Sequence, residues 1–229
     1  AEIGNPDIRP EYIHSYELNY KKNIGEQVLQ SSLFYRSRKD KIERLRVPYE
    51  AGVTLDSMAN VGNDHALGME LSGQFIVNKW WNLNVNGNVY YYKVVNNINS
   101  GGKEETSTNY DITVNNLLRI CKNTRIQLDG NFVGPSVTTQ GRSDSFWFVN
   151  LAIRQQWFGS NLQSTLSFRD IFNSARYKND ITTPNLESVT HIRPKFPVIT
   201  LSISYTFNHF KRSSQNSRDN RDLFEGVNH

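Results

Sequence analysis

From Trp81 onward, apolar and polar residues alternate with a period of two. Trp81, Leu83, Val85, Gly87, Val89 and Tyr91 hold the odd positions, and Asn82, Asn84, Asn86 and Asn88 hold the even ones. Such alternation predicts a strand with one apolar face and one polar face. Upstream, Leu67, Met69, Leu71, Gly73, Phe75 and Val77 alternate with Gly68, Glu70, Ser72 and Gln74. A tight corner at Asn78-Lys79 joins the two runs, so they are expected to form a hairpin.

The pattern recurs along the chain. Tyr110, Ile112, Val114, Leu118 and Ile120 oppose Asn109, Asp111, Thr113, Asn115 and Arg119. Ile126, Leu128, Gly130 and Phe132 oppose Arg125, Gln127, Asp129 and Asn131. Trp147, Val149, Leu151, Ile153 and Trp157 oppose Asn150, Arg154 and Gln156. Leu162, Leu166 and Phe168 oppose Gln163, Thr165, Ser167 and Arg169, and Ile199 to Phe207 repeats the pattern once more. Asn116 and Ser164 break the apolar face. Near the start, Tyr12, Tyr16, Leu18 and Tyr20 face one way, with Ser15, Glu17, Asn19 and Lys21 on the other side. A run through Leu29, Leu33 and Tyr35 follows and extends through Ile42 to Val47, with an irregularity at SRKD.

The connections alternate in length. NIGE, NK, CKNT and FGSN are short, whereas 48–64, 96–106, 135–143 and about 174–188 are long and polar. Short turns at one end and long loops at the other describe an outer-membrane barrel, although a soluble barrel also alternates its connections. The aromatic residues favour the membrane. Trp81 and Tyr91 are ten residues apart on the apolar face, as are Trp147 and Trp157. Ten residues at about 3.3 Å, tilted by about 40°, rise roughly 25 Å, the height of a lipid-facing band. Trp and Tyr rings favour its two interfaces. The expected girdle is Trp80, Trp81, Tyr91, Trp147, Trp157, Tyr205 and Phe207. The short turns are then periplasmic and the long loops extracellular. A soluble β-sandwich with core aromatics is the alternative.

Composition adjusts this picture at the edges. Hydrophobic residues make up 37% of the 229, too few for a thick two-sided α/β core, and aromatics reach 12%. The net charge of +4 is dispersed and forms no basic stripe, so no nucleic-acid partner is expected. Cys121 is the single cysteine, which excludes an intrachain disulfide framework and a Cys-based metal cluster. The opening AEIGNPDIRP has neither a charged n-region nor an apolar h-region, so an export signal is expected upstream or already removed.

Three stretches resemble a known family. NPDIRPEYIHSYELNY, beginning at Asn5, resembles the NPxLxPExSxSYELGY signature of TonB-dependent outer-membrane receptors. LGMELSGQF resembles their YGxELEL strand, and LSFRDIFNSARY with VITLSISYTF resembles their last strands. The nearest likeness is to the Bacteroidetes-type outer membrane protein beta-barrel group. The resemblance implies an all-β, antiparallel, up-and-down transmembrane barrel engaged in TonB-coupled uptake of a scarce solute. Family members are several times longer, with a TonB box, a plug and 22 strands.

Nine strands are counted here, or ten if Arg38-Lys39-Asp40 is a hairpin turn. Nine places Ala1 outside the cell, so 1–207 is expected to be the C-terminal part of a larger barrel, and 208–229 a polar periplasmic tail. Ten would allow a small closed barrel that scaffolds a complex. The implied partners are outer-membrane lipid, the remaining strands and plug of the same receptor, TonB through that plug, and a surface lipoprotein or periplasmic protein.

No catalytic, metal or cofactor site is predicted. His14, His65, His191, His209 and His229 are scattered, and Asp64-His65 reads as a solvated pair. The expected lumen face carries Glu17, Arg36, Glu70, Asn82, Asn84, Asn86, Asn88, Arg119, Arg125, Asp129, Arg154 and Arg169. Asn96, Asn97, Asn99, Gly101, Gly102, Gln140, Gly141 and Arg142 sit in loops where a receptor meets its ligand, and they name no ligand.

Overall fold

The computed structural model describes residues 2–50, 52–96, 103–183, 185–195 and 197–207. Asn97, Asn99, Gly101, Gly102 and the tail 208–229 lie outside the described residues. The strands are, in chain order, β1 (Glu2–Ile3), β2 (Tyr12–Ile24), β3 (Gln27–Glu50), β4 (Val53–Asn78), β5 (Trp81–Asn96), β6 (Lys103–Arg119) and β7 (Thr124–Val133). There follow β8 (Ser136–Val137), β9 (Gly141–Ser143), β10 (Phe146–Trp157), β11 (Leu162–Arg169), β12 (Tyr177–Thr183), β13 (Leu186–Ile192) and β14 (Val198–Tyr205). Among the described residues no helix is long and apolar enough to cross a membrane, which says nothing of strands.

Two sheets share these strands. The main one runs β14-β11-β10-β7-β6-β5-β4-β3-β2, every neighbouring pair antiparallel, with β1 added in parallel to β4. Neighbours alternate in direction, so in a path of nine strands β2 and β14 point the same way. Those two therefore cannot close the sheet by pairing antiparallel with each other. Both are edge strands, and every residue of each is exposed.

The ten-strand alternative does not hold. β3 passes straight through SRKD, absorbing Asp40 at φ 54° as a bulge between Arg38 and Lys41. A bulge adds a residue to one strand and bends it without ending the pairing. Turns close the flanking hairpins with glycine at positive φ, Gly25 at 60° and Gly52 at 77°.

The long connections differ from expectation. Most of 48–64 is not loop: β3 and β4 run on for 24 and 26 residues and meet at the turn around Gly52. Of 96–106, the described end from Lys103 belongs to β6. The remaining two long connections, expected as loops over 135–143 and about 174–188, build the second sheet, ordered β13-β12-β9-β8. Polar composition hid these strands. Ladder hydrogen bonds are made by the backbone, so a strand with two polar faces loses the alternation that reveals it. Gly141 is required there, because a Cβ would lie 1.8 Å from the Asp180 carbonyl oxygen.

Val61, Val94 and Leu45 of the long strands and Val137 of the second sheet are buried, as is Phe34 further down β3 beside Tyr90. The N-terminal segment is stitched to the hairpin as well: Asn5 Nδ2 donates to the Met58 carbonyl at 3.0 Å, and Arg9 pairs with Asp40 at 2.9 Å.

Candidate functional site

The register sorts the main sheet into two faces. Leu18, Leu33, Met69, Val89 and Tyr110 stand opposite one another on successive strands, and so do Ile112, Phe132 and Trp147. This face is apolar yet open: Leu18 is 70% exposed, Leu67 60% and Ile203 67%. An apolar surface of that extent needs a non-aqueous partner.

Trp81, Tyr91, Trp147, Trp157, Tyr205 and Phe207 all share the alternation of this face. Trp80 does not: it lies in the turn before β5 and stacks on Trp81, centroids 6.2 Å apart. The two breaks in the pattern have partners. Trp81 Nε1 donates to Asn116 Oδ1 at 3.1 Å, and Trp157 Nε1 donates to Ser164 Oγ at 3.0 Å. In both cases the indole reaches back one cross-strand pair from the short-turn end, since Trp81 opposes Leu118 and Trp157 opposes Leu162.

The opposite face is polar. Arg36 bonds Glu17 at 3.0 Å and lies 3.7 Å from Glu70, with its guanidinium over the Phe34 ring. Asn84 opposes Asn115, Asn86 accepts from Ser72 at 2.7 Å, and Asn88 donates to Asp111 at 3.3 Å. Asn82 opposes Ile76 and Leu117, so apolar side chains interrupt this face near the short turns. Arg119, Arg125 and Arg154 fall directly opposite one another. Asp129 accepts from Gln127 at 2.8 Å. Arg169 is separated from these, paired in register with Val198 at the far end of β11.

Beside Arg169, Asp170 is fully buried and organises the turn that follows. Its carboxylate accepts from the Ser174 and Ala175 amides at 3.0 and 2.9 Å and from Ser174 Oγ at 3.0 Å. Those bonds account for the DIFNSA stretch as a folded turn.

The second sheet covers the long-hairpin end of the polar face. Gln140 substitutes for a strand, accepting from the Arg46 amide at 2.9 Å and donating to the Arg46 carbonyl at 3.0 Å. Thr139 Oγ1 donates to Glu43, and Asn96 Nδ2 donates to the Thr139 carbonyl at 2.7 Å. Beneath it, Tyr92 donates to Asp64 Oδ2 at 2.8 Å and accepts from Lys41 Nζ at 2.9 Å. Asp64 is therefore not a solvated loop residue, being only 4% exposed. At the seam a cavity of about 360 Å³ is bordered by Asn96, Glu105, Gln140, Arg142, Asp180 and Thr182, with no aromatic side chain.

Charge also fixes the hairpin itself. Arg46 grips Asp56 through two bonds of 2.8 and 3.0 Å, and this guanidinium holds the Asp56 carboxyl below the usual carboxylate range. At the opposite end of the molecule, Cys121 is exposed in the short turn before β7. Its bond to the Thr124 hydroxyl, 3.0 Å, with help from the Asn123 backbone, lowers the thiol pKa. Among the described residues no group of three or more His, Cys, Asp or Glu side chains could hold a metal ion.

Comparison with known proteins places this geometry. Residues 1–205 match the family described as "Outer membrane protein beta-barrel family". Among curated proteins no match is found. The FrpB iron transporter from Neisseria meningitidis (F3-3 variant) superposes with a TM-score of 0.58 at 16% identity, over 89% of this chain and 32% of that one. The ferric yersiniabactin uptake receptor FyuA from Yersinia pestis gives a TM-score of 0.58 at 18% identity, over 84% of this chain and 29% of that one. At such identities the likeness is one of fold. The chain spans less than a third of either structure.

Proposed function

The chain belongs to the outer membrane protein beta-barrel family, and from that premise we propose that it forms barrel wall in a receptor for TonB-coupled solute uptake. Its apolar face meets lipid and its polar face lines the lumen. The short turns lie in the periplasm, together with the tail 208–229, and the second sheet with the long hairpin lies outside the cell. Further strands pair with β2 and β14, a plug occupies the lumen and contacts TonB, and a surface lipoprotein or periplasmic protein is a further partner. The seam cavity beside Gln140 and Arg142 is where a solute first meets the wall.

The observation that carries the membrane placement is a stagger. The register line from Trp81 through Leu118 and Ile126 reaches Ile153, four residues short of Trp157. The line that reaches Trp147 starts from Gly87, four residues from Tyr91. Both aromatic levels thus shift by four residues, in the same direction, over three strand steps. Four residues at about 3.3 Å against three spacings of about 4.8 Å correspond to a tilt of about 42°. Barrel strands tilt by about 35–45°, so both rows become level bands once the strands lean as barrel strands do. The same shift carried three steps the other way, from Tyr91 past Tyr16, arrives at Tyr12. Tyr12 is 60% exposed and joins the proposed outer band, which alternation in the noisier N-terminal part did not single out.

Uptake is tested in cells. Accumulation of the cognate solute is expected to stop on deletion of the gene, on loss of TonB and on addition of a protonophore. Accumulation that survives the last two treatments overturns energy coupling and leaves a scaffolding barrel.

A further inference from the structure

Three arginines on the polar face stand in one row. Arg119 is directly opposite Arg125, and Arg125 directly opposite Arg154, on the adjacent strands β6, β7 and β10. Like charges in directly opposed positions of a sheet repel and cost stability. Arg36, Arg38 and Arg46 are neutralised by Glu17, Asp64 and Asp56. Arg169, Arg176 and Arg193 make no ion pair among the described residues either, but the row sets unpaired arginines directly opposite one another. None of its three guanidinium groups makes an ion pair or a side-chain hydrogen bond among the described residues.

Their neighbours on the same face offer little compensation. Gln127 follows Arg125, with its amide already committed to Asp129. Ala152 precedes Arg154, and Leu117 precedes Arg119. A cavity of about 490 Å³ at this end is bordered by Arg119, Lys79 and Asn82, where Lys79 adds a further cation and Glu26 is the acidic residue of the lining.

A guanidinium binds a carboxylate through two parallel bonds, so each rung is a ready carboxylate clamp. Strands about 4.8 Å apart place the outer two rungs about 10 Å from each other. A monocarboxylate engages one rung, whereas a small anion with several carboxylates bridges neighbouring rungs and removes their repulsion. We propose that Arg119, Arg125 and Arg154 form a binding station on the lumen wall for a small polycarboxylate anion. The station deepens the uptake reading by naming a solute class, and it rests on that reading for its purpose. Acidic side chains of a polypeptide inside the lumen would offer the same chemistry, and they are the competing source.

The sign of one substitution separates the two. The probe is citrate, with acetate at matched ionic strength as control, on the protein purified from outer membranes in detergent. Citrate is expected to raise the unfolding temperature and acetate to leave it unchanged. Arg125→Gln is expected to raise the citrate-free unfolding temperature, because repulsion is relieved, and to weaken citrate about tenfold or more, the scale of a lost charged hydrogen bond. If Arg125→Gln does not fold, Arg154→Gln carries the same expectation. An unfolding temperature that citrate does not move, together with destabilisation by Arg125→Gln, means that the row is neutralised by the protein's own acidic side chains, and the site is overturned. Citrate binding by the purified protein without uptake by cells leaves the station standing and removes the transport reading.

Discussion

Ser164 shows how a hydroxyl is tolerated on an apolar face, the one proposed to meet lipid. Alone, a hydroxyl without a partner costs free energy in an apolar medium. Here its Oγ accepts from the Trp157 indole at 3.0 Å, and Asn116 stands in the same relation to Trp81. The arrangement also fixes both indoles, since each ring must reach back toward a polar atom while its body stays in the apolar layer. Trp157→Phe is expected to cost about 1–3 kcal/mol, because it leaves Ser164 unpaired. Ser164→Ala is expected to be milder, since the indole sits at the end of its strand and can turn to water. The double variant should recover part of the Trp157→Phe loss in denaturant unfolding on micelles. Equal destabilisation of Trp157→Phe with and without Ser164→Ala would show the two side chains to be uncoupled.

At the scale of elements, the long β3–β4 hairpin is held by ion pairs beyond its apolar part. Asp56 titrates below the usual carboxylate range because of Arg46. A carboxyl whose folded pKa is lowered stabilises the fold above its unfolded pKa, about 3.9, and that contribution is lost as pH falls through the lowered value. Amide exchange over residues 44–57, corrected for intrinsic rates, should hold steady from about pH 7 to 5 and accelerate below about pH 4. In Asp56→Asn it should be fast throughout, and acid acceleration that persists in this variant would assign the effect to another group.

The same hairpin marks where the sequence stopped being readable. Within the apolar band, alternation revealed the strands, from β2 to β14, along with the polar face and an irregularity at SRKD that could have been a turn and is a bulge. In the proposed placement lipid writes that pattern, because one face must be apolar. Beyond the band nothing demands an apolar face, so 53–61 and 177–183 look like loops while their backbones form ladders. The site was legible to the same depth. Asn86, Asn88 and Glu17 could be assigned to a face from parity. That Arg119, Arg125 and Arg154 form one row could not, because cross-strand register is invisible from spacing along one strand. Nor could the contact of Gln140 with Arg46, residues 94 apart in the chain.

For the whole molecule, orientation is the proposal most directly open to test, and Cys121 is a built-in probe. It is exposed in a short turn, and its bond to Thr124 lowers its pKa, which raises the share of reactive thiolate. A membrane-impermeant maleimide should label it slowly in intact cells and rapidly once the outer membrane is permeabilised. Rapid labelling of intact cells would invert the molecule, placing the short turns outside and the second sheet in the periplasm.

With the short turns inside, the hairpin becomes a mast. The 26 residues of β4 extend about 85 Å at about 3.3 Å each. Inclined at about 42°, they climb roughly 60 Å, of which the lipid-facing band takes about 25 Å. In the proposed orientation tens of ångströms therefore stand clear of the bilayer, with Tyr49 and Val53 exposed beside the tip. In that orientation an antibody or a phage tail would touch the tip long before it neared the proposed solute path. The tip carries none of the polar wall, so its side chains are free to be exchanged under such attack while the passage below stays as it is.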